Sequence, residues 1–213
     1  MDFLPEEIES FILKNTEKEP AILAELNHET WERVLIPRML SGHLQGRVLS
    51  MLSHMIQPAT ILEIGTYTGY SAICLAEGLQ KGGKIHTIDI NEELESMVNK
   101  YIEKSNLKDT IINYIGNAIE IIPTLTATFD LVFIDADKTN YSNYYDIIFD
   151  KVKSGGYIIA DNVLWSGKVA EPKEGLDPDT NALIAYSEKV NNDERVQNVL
   201  FSIRDGLMIV RKK

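Results

Sequence analysis

The 213-residue sequence has one cysteine, Cys74, so an intramolecular disulfide is excluded. Cys74 sits in the apolar run Ala72-Ile73-Cys74-Leu75-Ala76, which predicts a buried, inert thiol and suits a reducing compartment. No uninterrupted apolar run approaches the length of a membrane span. The N-terminus, Met1-Asp2-Phe3-Leu4-Pro5-Glu6-Glu7, has no basic segment followed by an apolar one, so no signal peptide is expected. These absences predict a cytoplasmic protein with no membrane partner. Positive charge is scarce as well: Lys and Arg total 21 against 32 Asp and Glu, a formal net charge of −11. That balance opposes broad binding to a phosphate backbone and makes nucleic acid a minority partner. Repeats, low-complexity tracts and a convincing linker are all missing. What remains is 44% hydrophobic and 25% charged residues, the balance of one soluble domain able to bury its own core.

The first 58 residues have helical spacing, with Ile8, Phe11 and Ile12, then Trp31, Val34 and Leu35, then Leu44, Val48, Leu49 and Leu52 on apolar faces. From residue 59 the pattern changes to short β-rich runs separated by helical stretches: Thr60–Ile64, Lys84–Ile88, Thr110–Ile115, Phe129–Ile134 and Tyr157–Ala160. Continuous apolar strands alternating with helices predict an α/β fold, a mostly parallel sheet with helices on both faces. Val196–Ile203 and Leu207–Val210 flank Arg204-Asp205-Gly206, predicting an antiparallel C-terminal hairpin and seven strands in all. The stretch Glu171–Asp179, with Pro172, Gly175 and Pro178, reads as a loop.

In Ile61-Leu62-Glu63-Ile64-Gly65-Thr66-Tyr67-Thr68-Gly69-Tyr70-Ser71 a strand, a glycine turn and a helix start follow in order. Gly65 permits a tight turn that brings backbone amides to a ligand, as nucleotide-binding turns require; a plain turn would look the same. Asp89 closes the second strand, roughly 20 residues beyond the turn, where it can accept ribose hydroxyls or cap the helix near Glu92. Gly65-x-x-x-Gly69 lacks the Gly-x-Gly-x-x-Gly spacing that seats a pyrophosphate on a helix N-terminus. The spacing therefore leans from NAD toward S-adenosylmethionine, which has no phosphate and needs an acceptor for its ammonium group. Glu63 can orient that ammonium, or only the turn.

Two further clusters follow apolar strands, Phe133-Ile134-Asp135-Ala136-Asp137-Lys138-Thr139-Asn140-Tyr141 and Ile159-Ala160-Asp161-Asn162-Val163-Leu164-Trp165. Ligands of open α/β sheets bind at the carboxyl ends of strands, so neighbouring strands would deliver Asp135, Asp161 and Asn162 to one crevice. Three oxygen donors without histidine or cysteine suit a hard divalent cation, Mg²⁺ first and Ca²⁺ or Mn²⁺ as alternatives. Caps or solvated turns would use the same residue types.

As an ordered set, Leu62 to Ser71, Asp89, Phe133 to Lys138 with Asn140-Tyr141, Asp161-Asn162-x-Leu164-Trp165-x-Gly167, and Asp205-Gly206-Leu207 resemble the caffeoyl-CoA and catechol O-methyltransferases, including their small bacterial members. The likeness runs from about Met39 to the C-terminus, and residues 1–30 share it only loosely. It implies a Rossmann-like methyltransferase fold over residues 59–213, with residues 1–58 as a helical cover, and a cation-dependent enzyme using S-adenosylmethionine. It also implies cofactor contacts from Met39, Ser41, Glu63, Gly65, Thr66, Tyr67, Ser71, Asp89, Ala118, Asp135 and Asp137. Metal ligation would fall to Asp135, Asp161 and Asn162, with Lys138 and Asp135 at the reacting hydroxyl, and the assembly would be a homodimer. Three departures stand out. Ser166 replaces the asparagine that plant caffeoyl-CoA enzymes carry after the Trp. Val199 occupies the place of a substrate-side glutamate in catechol methyltransferases. The N-terminal segment that recognises the plant thioester is divergent.

The expected reaction is methyl transfer to a hydroxyl of a catechol-like small molecule. A phenol titrates near pH 10, so a cation and Lys138 would both favour the reactive phenolate. A tRNA hydroxyuridine O-methyltransferase is the nearest alternative, an NAD-dependent oxidoreductase a more distant one, and a nucleotide-binding module without catalysis a third.

Overall fold

The computed structural model describes residues 4–172 and 175–213. They form two compact units, Leu4–Ala118 and Ile119–Lys213. In the first, helices α1 (Glu6–Lys14), α2 (Ala21–Arg33) and α3 (Gly42–Ile56) precede strand β1 (Thr60–Ile64), followed by α4 (Tyr70–Ala76), β2 (Lys84–Asp89), α5 (Glu95–Lys104) and β3 (Ile111–Ile115). The strands lie parallel in the order β3-β2-β1, with Glu63, Thr87 and Asn113 in register. Parallel neighbours need a long crossover, which the segments carrying α4 and α5 supply. Ile61, Leu62, Ile64, Ile85 and Ile88 are fully or almost fully buried, as strands covered on both faces should be.

The helical expectation for the N-terminal segment holds, but its apolar faces do not all find cover. α1 has acidic residues in its first turn and Lys14 in its last, charges that complement the helix dipole. It buries none of its residues, and Phe11 is 67% exposed. α3 packs closely on α4 because Gly46 stands at the crossing: a Cβ there would lie 2.6 Å from the Tyr70 ring and 2.8 Å from the Cys74 sulfur. Cys74 is buried, as its apolar run requires, and burial pushes its thiol up to about 12. The segment between α1 and α2 is pinned from the same side by the Tyr70 hydroxyl, which donates to Glu19 at 2.6 Å.

The second unit contains most of α6 (Ala118–Thr124), then β4 (Phe129–Ile134), α7 (Tyr141–Phe149), β5 (Val152–Ala160), α8 (Pro178–Asn191), β6 (Val196–Phe201) and β7 (Leu207–Lys212). Strand order is β4-β5-β7-β6, with β4 and β5 parallel and both pairings of β7 antiparallel. Among the described residues there are thus seven strands, mostly parallel, with the antiparallel C-terminal hairpin that the sequence predicts.

Some boundaries differ. β5 begins five positions before Tyr157, and its pairing with β4 slips between Phe129 and Leu131. That early stretch carries Gly155 and Gly156, which break the apolar pattern. The hairpin loop spans residues 202–206 rather than 204–206, because β6 ends at Phe201, and Arg204 and Gly206 are at positive φ. α8 starts inside the expected Glu171–Asp179 loop, because Asp177 caps it by accepting from the Thr180 amide and Pro178 opens it. Lys173 and Glu174 of that loop lie outside the described residues. Among the described residues no helix is long and apolar enough to cross a membrane.

Candidate active site

In the first unit the turns after β1, β2 and β3 are tied together at Asp89. Gly65, at φ +99°, donates its amide to the Ile88 carbonyl at 2.9 Å. Tyr67 takes the left-handed conformation despite its side chain (φ +50°), and its amide meets Asp89 Oδ2 at 2.7 Å. The Asn91 amide donates to Oδ1 at 2.9 Å, and the Gly116 amide to the Asp89 carbonyl at 2.8 Å. Asp89 is not the helix cap: Asn91 caps the turn at Glu92–Leu94 by accepting from Glu93. With about two acceptor sites on each carboxylate oxygen, Asp89 keeps capacity for a ligand's hydroxyls after these bonds.

Glu63 is fully buried and accepts a hydrogen bond from the Thr87 hydroxyl, which is also bonded to the Thr66 hydroxyl. A hydroxyl has one proton. Thr87 spends its proton on Glu63, so Thr66 must be the donor in the second bond, and Glu63 orients the turn through this relay. Thr66, Ser71 and Ala118 are buried, and Ser41 is buried at the start of α3. Met39 is exposed in a 3-10 turn, Pro37–Met39. The Tyr67 hydroxyl donates to the Ile36 carbonyl at 2.9 Å, which fastens this segment to the glycine turn.

In the second unit Ile134 and Ala160 are partners in register, so Asp135 and Asp161 leave adjacent strand ends. The Asp161 amide still donates to the Ile134 carbonyl at 2.9 Å. Asp161 is 2% exposed, and its Oδ1 accepts from the Asn162 amide at 2.7 Å, with Asn162 at φ +58°. Lys138 is 8% exposed; its ammonium donates to Asp135 Oδ1 at 3.0 Å and to the Tyr141 hydroxyl at 2.8 Å. It also stands 4.9 Å from the Tyr141 ring centre and 5.8 Å from that of Trp165. Burial, with Asp135 and Asp161 adding to it, holds the Tyr141 phenol well above its ordinary pKa. Asp137 is exposed, and its carboxylate accepts from Tyr144 and Asn140.

The loop after β5 is held by the hairpin loop. Asp205 accepts from the Ser166 amide through Oδ1 and from the Leu164 amide through its carbonyl, and Gly206 accepts from Val163. Trp165 and Ser166 both sit at positive φ, conformations that persist only where surroundings enforce them. Among the described residues no group of three or more His, Cys, Asp and Glu side chains could hold a metal ion.

A family model described as O-methyltransferase matches residues 14–213. The chain belongs to the O-methyltransferase family. This O-methyltransferase is 32% identical to a caffeoyl-CoA O-methyltransferase of Petroselinum crispum over 210 residues, 92% of this chain and 85% of the relative. It is 31% identical to that of Stellaria longipes, covering 82% and 76%. Among solved structures it matches an S-adenosylhomocysteine-bound methyltransferase of Podospora anserina at TM-score 0.90 and 28% identity, over 100% of this chain and 99% of the other. An O-methyltransferase of Bacillus cereus in complex with S-adenosylhomocysteine gives TM-score 0.90 and 26%, over 97% of each chain. The fold is the Rossmann-like methyltransferase fold that the ordered motifs imply.

The first unit contains Met39, Ser41, Glu63, Gly65, Thr66, Tyr67, Ser71, Asp89 and Ala118, and the second contains Asp135, Asp137, Lys138, Asp161 and Asn162. Sequence reasoning missed the parts played by Thr87, Tyr141 and Asp205. Thr87 is a polar residue inside an apolar strand, which was a usable signal. Tyr141 and Asp205 stand within the quoted motifs, but nothing in one dimension shows what their polar atoms reach.

Proposed function

We propose that this O-methyltransferase transfers the methyl group of S-adenosylmethionine to a hydroxyl of a catechol-like small molecule with help from a divalent cation, Mg²⁺ first. The observation that carries the reading is the buried Lys138 ammonium bonded to Asp135 at the end of β4, beside the end of β5 that bears Asp161. Methyl transfer from a sulfonium is an in-line displacement by oxygen, which must lose its proton before or during attack. As an ammonium Lys138 stabilises the developing oxyanion; only as the neutral amine would it accept the proton. Asp89 binds the ribose of the methyl donor, and the amides of the Gly65 turn line its methionine portion.

The donor chemistry fits a hard cation: Asp135, Asp161 and Asn162 offer only oxygen, and Mg²⁺ commonly binds one or two carboxylates while keeping several waters. When bound, such an ion lowers the pKa of a coordinated hydroxyl. The homodimer belongs to the same proposal. α1 is nine residues long with no buried residue, and helices of that length are marginal in water without packing, so a second copy is the natural cover. Light scattering reads the assembly.

The experiment is a side-by-side assay of catechols, a caffeoyl thioester and hypomodified tRNA with S-adenosylmethionine, with and without EDTA. The expected result is a 14-dalton gain, the mass of one added CH₂, on a catechol, abolished by EDTA and restored by Mg²⁺. Methylation of tRNA alone overturns the substrate class, and an EDTA-insensitive rate overturns the metal.

A further inference from the structure

We infer that Tyr141 is a positioning residue for methyl transfer, its buried hydroxyl fixing Lys138 so that one ammonium N–H is left for the substrate oxygen. The inference rests on the function proposed above.

The argument begins with counting. A lysine ammonium has three N–H donors and no acceptor. One goes to Asp135 Oδ1 and one to the Tyr141 hydroxyl, which leaves one without a protein acceptor among the described residues. The Tyr141 hydroxyl has a single proton, and it points toward the Asp161 carbonyl at 3.0 Å, with the Ile134 carbonyl farther off at 3.4 Å. Its lone pairs are therefore left to accept from Lys138 and from the Ala136 backbone amide. Tyr141 is fully buried, and its ring meets Tyr186 edge-on at 5.5 Å between centres, so the phenol has no room to swing.

The hydroxyl thus references Lys138 to the backbone of the two strand ends that bear Asp135 and Asp161. A lysine side chain has four rotatable bonds, and anchoring its tip at two points removes most of the freedom that would blur its aim. Neither anchor reacts; each limits where the remaining N–H can point.

Tyr141→Phe keeps the ring and its packing and deletes only the hydroxyl. Three measurements are made on wild type, Tyr141→Phe and Lys138→Ala: S-adenosylmethionine affinity by calorimetry, kcat and KM for a catechol with Mg²⁺, and the rate of amine acetylation at position 138, in the two proteins that retain the lysine, mapped by mass spectrometry without cofactor. Expected for Tyr141→Phe are a cofactor affinity within about twofold of wild type, a kcat lower by about tenfold or more with KM little changed, and faster acetylation of Lys138. Wild-type kcat in Tyr141→Phe, beside a large loss in Lys138→Ala, overturns the inference, as does unchanged acetylation. If wild type methylates no catechol, the proposed function falls, while the acetylation contrast still decides whether Tyr141 holds the lysine. If Tyr141→Phe fails to fold, wild type decides: Lys138 acetylated as fast as the more exposed Lys153 overturns the inference, and protection at least tenfold greater supports it.

Discussion

At the scale of single residues, two acids at different strand ends have separable jobs. Asp89 accepts from two backbone amides and keeps capacity for a ribose, so Asp89→Ala removes a ligand contact and loosens the turn at Tyr67 together. S-adenosylmethionine affinity is expected to fall by about 1–3 kcal/mol, the cost of leaving such groups unpaired; calorimetry with unchanged affinity would remove Asp89 from the site. Asp161→Asn is the complementary test. It preserves an oxygen to accept from the Asn162 amide and deletes only charge, so the fold and cofactor affinity should persist. The Mg²⁺ concentration for half-maximal rate should rise about 10–100-fold. A change of one buried charge with no shift in that concentration argues that Asp161 is structural.

At the scale of elements, the loop after β5 depends on the β6–β7 hairpin. Gly206 has φ +91°, and a Cβ there would stand 2.5 Å from Leu164. Gly206→Val is therefore expected to cost about 1–3 kcal/mol from overpacking, with strain added. The loss should appear as a lower denaturant midpoint and as reduced activity, since the displaced Leu164 belongs to the loop bearing Asn162 and Trp165. Retained activity at full stability would show that the loop tolerates the shift. This dependence also marks what was legible in the sequence. Strands such as Phe129–Ile134, bounded by turn residues and rich in large apolar side chains, were readable to the residue because burial on both faces leaves a continuous run. The carboxylates after them were readable because polar residues directly follow the run. The five-residue loop at 202–206 was not readable as such, because Ile203 extends the strand-like run past Phe201 and the bonds that hold the loop reach back some forty positions to residues 163–166. The exposure of α1 was equally hidden: helical spacing states that a face is apolar, not what covers it.

At the scale of the whole molecule, acid sensitivity has an identifiable contributor. Arg195 holds the Asp193 carboxyl below the usual carboxylate range through side-chain hydrogen bonds, with its amide and the Tyr145 hydroxyl also donating. A carboxyl whose folded pKa is depressed stabilises the fold above its unfolded pKa, near 3.9, and that contribution is lost as pH falls through the folded value. Asp193→Asn should thus lower the melting temperature at neutral pH, with the gap from wild type narrowing below about pH 4. A gap that stays constant down to strong acid would show that packing, not charge, is what the substitution removed.

The single thiol, wedged where α3 crosses α4, turns the chain into its own clock. Cys74 has no solvent exposure and a raised pKa, so an alkylating reagent added to the native protein has nothing to attack until those helices part. With no second cysteine to blur the signal, the alkylation rate times how often that contact opens. Where closing outruns alkylation the rate reports the free energy of opening, and at high reagent concentration it reports the opening rate itself.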